Sequence, residues 1–484
     1  MRRHMFSVVL LGVVLVLGGT WMLVAAPGSS VAADAETDPV CAGTIDRQPA
    51  GITVVSVQGY RFGENGGYTG PRVIGYAPNG SVAWVHHMAD RFEDAVWSYD
   101  VDPRRNGTLF VTASVNRASW DRGRTLLYEL DARTGDVVWE KRLPFHDTHD
   151  ADMLDDHRIL IANMRNPDPE NGTNDDRILI YNRTSDDVVW EWRLDDHYPS
   201  SAGGDYAEDW SHLNDVDRVE EGLYLASPRN FDQVILVNRT TGEIDLQLGR
   251  DDDYSILQEQ HNPTYLESDD GNPTFLVADS ENDRIVEYEH SDGEWDRTWR
   301  LGSAESFDWP RDADRLPNGN TLIADSRNNR AIEVTPGGEV VWEAFAPWLV
   351  YDVARVPLGD EPGGPTIADQ GATGRKGISG DASRTTETLE ACDRHLSSFE
   401  TEWPADDGQE NRTWNVGGNT PTVRDGTGTQ TWKADGTTVD GRTPMDGATT
   451  VTGRPNGMIT DATILIAIAL AALLLLGVIV VRRR

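Results

Sequence analysis

The sequence predicts an all-β fold, a six-bladed β-propeller with a membrane segment at each end. Three observations carry this expectation. A unit of fifteen residues recurs five times: LLYELDARTGDVVWE (126–140), ILIYNRTSDDVVWEW (178–192), VILVNRTTGEIDLQL (234–248), IVEYEHSDGEWDRTW (285–299) and AIEVTPGGEVVWEAF (331–345). Five copies in one chain indicate a repeat architecture. Each copy follows a strand-like run built on a repeated Ala: LFVTAS (109–114), ILIAN (159–163), LYLAS (223–227), FLVADS (275–280) and TLIADS (321–326). Each unit thus holds about four short strands, with no amphipathic helix between units, which favours propeller blades over a βαβ fold. Finally, apolar runs lie near both termini.

Taken in order, residues 1–28 hold a basic start, Arg2-Arg3, and an apolar run from about Met5 to Ala26. The segment reads as a signal peptide or an uncleaved signal-anchor helix. Residues 29–67 are expected as a tether, with a β-branched strand at 52–57 that completes the last blade and closes the ring. The propeller is expected over 68–357, with units beginning near Tyr68, Ala95, His149, His212, His261 and Arg311. Residues 358–460 are rich in Gly, Thr and Asp and poor in apolar side chains, so they read as a largely flexible stalk. One amphipathic helix is expected there over 383–399, with Leu389, Cys392, Leu396 and Phe399 on one face. Residues 461–484 contain an apolar run of about 20 residues, enough to cross a bilayer. Arg482, Arg483 and Arg484 follow it and belong on the cytoplasmic side. The propeller then lies outside the cell, tethered to the lipid bilayer.

The chain of 484 residues carries 80 acidic and 43 basic side chains, for a net charge of -37. Phosphate binding needs a positive footprint, so nucleic acid is excluded as a partner. The acid excess fits a halophilic protein, whose self-repulsion is screened by salt. Only Lys141, Lys376 and Lys433 are lysines; the other basic residues are arginines. Six Asn-x-Ser/Thr triplets, at Asn79, Asn106, Asn171, Asn182, Asn238 and Asn411, fit a glycoprotein exposed outside the cell. Cys41 and Cys392, the two cysteines, lie outside the repeats and are expected to pair in an oxidising compartment.

Aligning the blades separates repeat from site. Asp102, Asp152, Asp217 and Asp314 share one position, and their repetition argues for strand-edge hydrogen bonding. Three residues before it the blades differ: Tyr99, His149, Asn214, His261 and Arg311. Two residues earlier still they read Trp97, Asp147, His212, Glu259 and Trp309. Innermost strands line a propeller's axis, and positions i and i−2 of a strand face one side. Both sets are therefore expected in one axial pocket. His146, His86, His87 and His197 fall outside this register and read as supporting or surface residues. Three histidines would suit zinc. They would equally suit group transfer, with a neutral histidine as nucleophile, a second as acid/base, and Arg229 clamping an oxyanion. No recurring carboxylate pair supports a glycosidase. Neither a cofactor nor a bound metal is expected.

The stretch EDWSHLNDVDRVEEGLYLASPRN (208–230), with Leu248-Gly249-Arg250 and Gln260-His261-Asn262-Pro263, resembles the arylsulfotransferase family. His149-Asp150, Trp190-Glu191-Trp192 and Asp196-His197 agree with it more loosely. The resemblance implies a six-bladed propeller that moves a sulfuryl group from a small aromatic sulfate donor to a phenolic acceptor. It implies a sulfohistidine intermediate and no nucleotide donor. On this resemblance His261 is the nucleophile, His212 the acid/base, Asn214 and Arg229 the holders of the sulfuryl oxygens, and His149 a third pocket histidine. Tyr99, Trp97, Arg311 and Trp309 are expected to bind the aromatic substrate. A non-catalytic extracellular propeller that recognises a ligand or a protein is the second reading, because a fold does not fix a function.

Overall fold

The computed structural model describes residues 39–62, 67–117, 119–120 and 122–399, and the backbone of three short strands within 419–440. The two apolar terminal runs lie outside the described residues. Among the described residues no helix is long and apolar enough to cross a membrane.

Six four-stranded antiparallel sheets form the blades. Blades two, four and five each take their strands consecutively from the chain, starting at Ala95–Pro103, Leu213–Glu220 and His261–Glu267; blade three starts at Ala151–Met153 and has the small hairpin Pro167–Asp168 and Thr173–Asn174 between its second and third strands. Blade six starts at Pro310–Arg315. Blade one is composite. Its innermost strand is the C-terminal Trp348–Arg355, which pairs with Thr53–Arg61; Arg72–Tyr76 and Val82–His87 complete the sheet. The strand expected at 52–57 is thus the second strand of the first blade, and the ring is closed by the strand after the last repeat. A closing strand drawn from the far end of the propeller pins its first and last segments together with ladder hydrogen bonds.

Two short strands extend outer edges. Ala42–Ile45 adds antiparallel to Val340–Phe345 in blade six, and Gly374–Lys376 adds parallel to Glu294–Leu301 in blade five. Both cover edges that would otherwise expose unpaired backbone groups.

The alternation of each strand sets the packing. Alternate residues of neighbouring sheets meet in apolar layers, such as Leu160, Ile178 and Ile180 with Val216, Tyr224 and Ala226 between blades three and four. The tryptophans of outer strands latch blades together. The indole N–H groups of Trp84, Trp192 and Trp342 donate to the carbonyls of Ala132, Gly242 and Pro78 on adjacent blades. Of these, Trp342 belongs to a VVWE copy, with its ring buried and its one polar atom satisfied, whereas Trp139 and Trp190 of the other two copies are half-buried.

Residues 358–399 lie against the propeller and do not start a stalk. A helix spans Thr386–Ser397, capped by Thr385, whose hydroxyl accepts from the Thr388 N–H at 3.2 Å. Leu389, Cys392 and Leu396 are buried in the same layer as Trp342, Phe345 and Trp348. Phe399, expected on that face, is exposed, because the helix has already ended. Cys392 is disulfide-bonded to Cys41, as expected. The bridge joins residues 351 apart in sequence and ties the helix to the strand that covers blade six.

Replacing both cysteines by serine is expected to lower unfolding free energy by about 2–5 kcal/mol. Urea unfolding of oxidised wild type and variant measures it; equal midpoints would show that the bridge restrains nothing.

Candidate active site

Each blade delivers one residue to the axis, in chain order Tyr99, His149, Asn214, His261, Arg311 and Tyr351; five of them stand on innermost strands, and His149 lies two residues ahead of Ala151–Met153. Their mutual contacts show the convergence. Tyr99 stacks on His149 with ring centres 3.9 Å apart. The Tyr351 ring lies 5.2 Å from Tyr99, 5.8 Å from His149 and 6.2 Å from His261. The Arg311 guanidinium sits 5.0 Å from the same ring, and the Tyr351 hydroxyl donates to the Asn214 carbonyl at 3.4 Å. Tyr351 is the hub of the ring. The sequence alignment missed it because the closing strand lies beyond the last repeat; the run Tyr351-Asp352-Val353 matches Asn214-Asp215-Val216 and could have revealed it.

The preceding positions reach the site by a different route from the one expected. His212, Glu259 and Trp309 have φ of 44°, 45° and 60°, in the left-handed region. Strand alternation therefore does not extend to them; a repeated left-handed turn places them just ahead of the strand. Such backbone is costly for non-glycine residues and is held by its surroundings. His212 still meets His149, at 5.1 Å between ring centres, and Trp309 meets His261 at 5.9 Å.

His261 is buried, and its Nδ1 lies 2.9 Å from the Ser280 hydroxyl. That hydroxyl has one proton, and it points to the Pro310 carbonyl at 2.7 Å. Ser280 therefore accepts from Nδ1–H, which leaves the ring lone pair on Nε2. His212 is oriented in the same sense. Its Nδ1 donates to Asp209 Oδ2 at 2.8 Å, and its buried Nε2 has no hydrogen-bond partner. Burial, and next the Arg229 guanidinium, lower the His212 pKa to about 3, so the ring is a neutral base at ordinary pH.

Behind the histidines stands a charged layer in which Asp147 holds a repeat position and Arg165 and Asp209 have no counterpart in other blades. Arg165 donates to Asp209 Oδ2 through Nη2 at 3.1 Å, and its Nε pairs with Oδ1 at 3.0 Å. It also pairs with Asp147, which in turn accepts from Tyr99 at 3.3 Å and Ser114 at 3.1 Å. Burial alone would raise the Asp209 carboxyl, but Arg165 and His212 outweigh it and hold Asp209 well below the usual range. His146 supports this layer by bonding the Arg165 carbonyl at 2.7 Å.

Arg229 is buried in a short turn after Pro228. Its backbone N–H donates to the His212 carbonyl at 3.2 Å, and its guanidinium meets Glu259 at 3.3 Å and Asn230 at 2.9 Å. Asn214 donates its amide to the Gln260 carbonyl at 2.9 Å, and its buried Oδ1 has no partner. Trp309 is sandwiched between guanidinium groups, Arg311 at 3.7 Å and Arg327 at 4.2 Å. Trp97 packs against Tyr60 and Tyr68, at 5.4 and 6.4 Å, beside Tyr99. His86 and His87 lie in blade one and His197 stacks on Trp192 at 4.2 Å.

Zinc chemistry gains no geometric support. Among the described residues, no group of three ligand atoms within 4.8 Å of one another includes a histidine. The repeated aspartates also differ from expectation. Asp152 does hold a backbone group, Arg218 N–H at 3.1 Å. Asp102, however, is buried with one carboxyl oxygen that bonds nothing. Backbone bonding across blades is made more by the position two residues earlier, where Asp150, Asp312 and Asp352 accept from Val216, Val353 and Val101.

The depressed His212 pKa has a thermodynamic consequence. Above the unfolded value of 6.5 both states are neutral; below it the unfolded chain binds a proton that the folded ring refuses until about pH 3. Stability from this group is therefore full above pH 6.5 and is lost as pH falls. His212→Asn is expected to flatten the acid decline by up to about 1.4 kcal/mol per pH unit relative to wild type. Urea unfolding across that range measures the difference; parallel curves would contradict a neutral buried His212.

The chain resembles solved structures only distantly. A Bacteroides caccae protein of unknown function matches with TM-score 0.42 and 13% identity, over 63% of this chain and 98% of that one. A virginiamycin B lyase from Staphylococcus aureus matches with TM-score 0.32 and 12% identity, over 55% of this chain and 71% of that one. No curated protein matches. The family model for arylsulfotransferase (ASST) matches residues 69–310, a segment that contains His149, His212, His261 and Arg229 and stops one residue before Arg311. That match spans half of the sequence, and the chain belongs to the arylsulfotransferase family.

Proposed function

We propose that this protein transfers a sulfuryl group from a phenolic sulfate ester to a phenol, without a nucleotide donor, through a sulfohistidine at His261. The observation that carries the reading is the Ser280-fixed tautomer of His261, which puts a lone pair on Nε2 inside a ring of aromatic and cationic side chains. An imidazole held with its lone pair on Nε2 is a competent nucleophile.

In the first half-reaction, His261 Nε2 forms a bond to sulfur as the bond from sulfur to the phenolic oxygen breaks. The phenolate leaves with the bonding pair. In the second, the acceptor phenol gives its proton to His212 Nε2 as its oxygen forms the new bond to sulfur. The nitrogen–sulfur bond breaks, and the pair returns to His261. Once the sulfated product leaves, His212 gives that proton to solvent and is neutral again, while the released phenolate takes one from solvent, so the cycle closes. His212 starts neutral, because Arg229 and burial depress its pKa. An anionic sulfuryl group beside Arg229 offsets that cation and makes a protonated His212 easier to form. Arg229 and the Asn214 amide hold the sulfuryl oxygens where charge develops. Tyr99, Trp97 and Trp309 contribute aromatic walls, Arg311 backs Trp309, and His149 completes the pocket on the Tyr99 side.

The propeller works outside the cell, anchored by the apolar run at 461–484, with 1–28 as a signal peptide or a signal-anchor helix. The Cys41–Cys392 bridge supports an oxidising compartment, and the acid excess supports a salty one.

A chromogenic aryl sulfate with a phenol, at high salt, is expected to give transfer that ceases in His261→Ala. Arg229→Met is expected to lower kcat by about 10²–10³-fold. A folded wild-type protein without transfer, or a His261→Ala variant that retains it, would overturn the reading.

A further inference from the structure

The innermost strands carry more than the ring of Tyr99, His149, Asn214, His261, Arg311 and Tyr351. The next residue in each blade is Asp100, Asp150, Asp215, Asn262, Asp312 or Asp352, and two residues further stand Asp102, Asp152, Asp217, Thr264 and Asp314. At about 3.3 Å per residue the last set lies roughly 10 Å along the strand from the histidines. The loop after the closing strand brings Asp360 and Glu361 to the same place.

The carboxylates converge across blades. Oxygens of Asp150, Asp215 and Asp217 lie within 4.8 Å of one another, as do those of Asp217, Asp360 and Glu361, and those of Asp100, Asp102 and Asp360. Asp217 and Asp360 are each shared by two of these groups. Calcium binds oxygen at 2.3–2.6 Å, so oxygens on opposite sides of one ion stand at most about 5 Å apart. The observed spread fits that limit.

Three further facts point to a ligand. Asp100, Asp102 and Asp215 are more than nine-tenths buried. Each has a carboxyl oxygen, Oδ2, with no hydrogen-bond partner. Leaving such an oxygen buried and unmet is costly. Finally, the strongest charged neighbours of Asp100, Asp215, Asp217 and Asp360 are other carboxylates. Arginines neutralise carboxylates elsewhere in this protein, as in Arg165 with Asp209, but not here.

We propose that this acidic end of the propeller axis binds a divalent cation of the calcium class, with Asp217 and Asp360 as its central ligands and Asp215, Asp150, Asp102 and Glu361 around them. The site is separate from the histidine ring and takes no part in group transfer. Its effect is structural: the ion draws together the innermost strands of blades two, three and four and the loop that follows the closing strand. A site of flexible carboxylates from several segments favours calcium over magnesium, which demands near-octahedral geometry and keeps its water.

The test uses the full chain at high potassium chloride, stripped with EGTA and dialysed against calcium chloride. Bound calcium is read by atomic emission and stability by the thermal midpoint. Wild type is expected to retain at least one calcium per chain and to melt higher with calcium than with EGTA. In Asp217→Asn/Asp360→Asn both effects are expected to vanish. Its EGTA midpoint is expected to equal or exceed that of wild type, since two like charges are gone. If the double variant does not fold, Asp360→Asn alone is titrated with calcium and is expected to bind at least tenfold more weakly. Asp251→Asn/Asp252→Asn, which alters a separate surface cluster, is expected to behave as wild type. The proposal is overturned if folded wild type binds no calcium at millimolar concentration, if the Asp217/Asp360 variants bind as wild type does, or if EGTA leaves the melt unchanged. Each readout is independent of turnover.

Discussion

The ladder between Trp348–Arg355 and Thr53–Arg61 is the constraint on which the rest depends. It closes the ring by joining segments from the two ends of the described chain. It also sets Tyr351 on the axis, where that ring touches Tyr99, His149, His261 and Arg311. Blade closure and site geometry are therefore one event. The Cys41–Cys392 bridge and the helix Thr386–Ser397 brace the same seam from outside, through a layer that includes Trp342, Phe345 and Trp348. A weakness at this seam would loosen the site before it unfolded the blades.

Charge inside the protein is organised by arginine. Arg284 pairs with Asp279 and Arg330 with Asp325, at equivalent positions of blades five and six. Arg315 pairs with Glu287 at 2.9 Å and Arg355 with Glu333 at 3.0 Å, both buried. Such pairs contribute little net stability against apolar alternatives, but breaking one strands a charge. A planar guanidinium serves two acceptors at once, which suits positions between blades. Arg165 applies the same device to chemistry: by holding Asp147 and Asp209 ionised, it keeps the Asp209 carboxylate as acceptor for His212 Nδ1 and so fixes which nitrogen of that ring is basic.

Much of the fold was legible because a repeat exposes its own grammar. The VVWE motif, the Ala-centred strands and the variable position carrying Tyr99, His149, Asn214, His261 and Arg311 all emerge from aligning the chain with itself. What could not be read was single-copy or non-local. Arg165 and Asp209 sit in loops without a counterpart in other blades, and their pairing depends on three-dimensional proximity. Tyr351 follows the last copy, so its register was hidden. The alternation argument reached the right neighbourhood for His212 and Trp309 for the wrong reason, because left-handed turns, not extended strand, deliver them. Repetition alone points to strand-edge bonding for the aspartates; the convergence of carboxylates from different blades becomes visible only once the ring is closed. Ahead of the expected helix, the polar stretch from 358 packs as well, through the edge strand Gly374–Lys376 and the buried Ile367, and the helix face and Cys392 complete the attachment.

The account turns on His261 as the atom that carries the group in transit. The most direct measurement is to mix the folded protein with an aryl sulfate and no acceptor, quench within one turnover, and map the modified peptide by mass spectrometry under conditions that preserve a nitrogen–sulfur bond. The account predicts one added sulfuryl unit on His261, discharged when a phenol is supplied. A modification on any other residue, or transfer with no modified enzyme at any time, would contradict it.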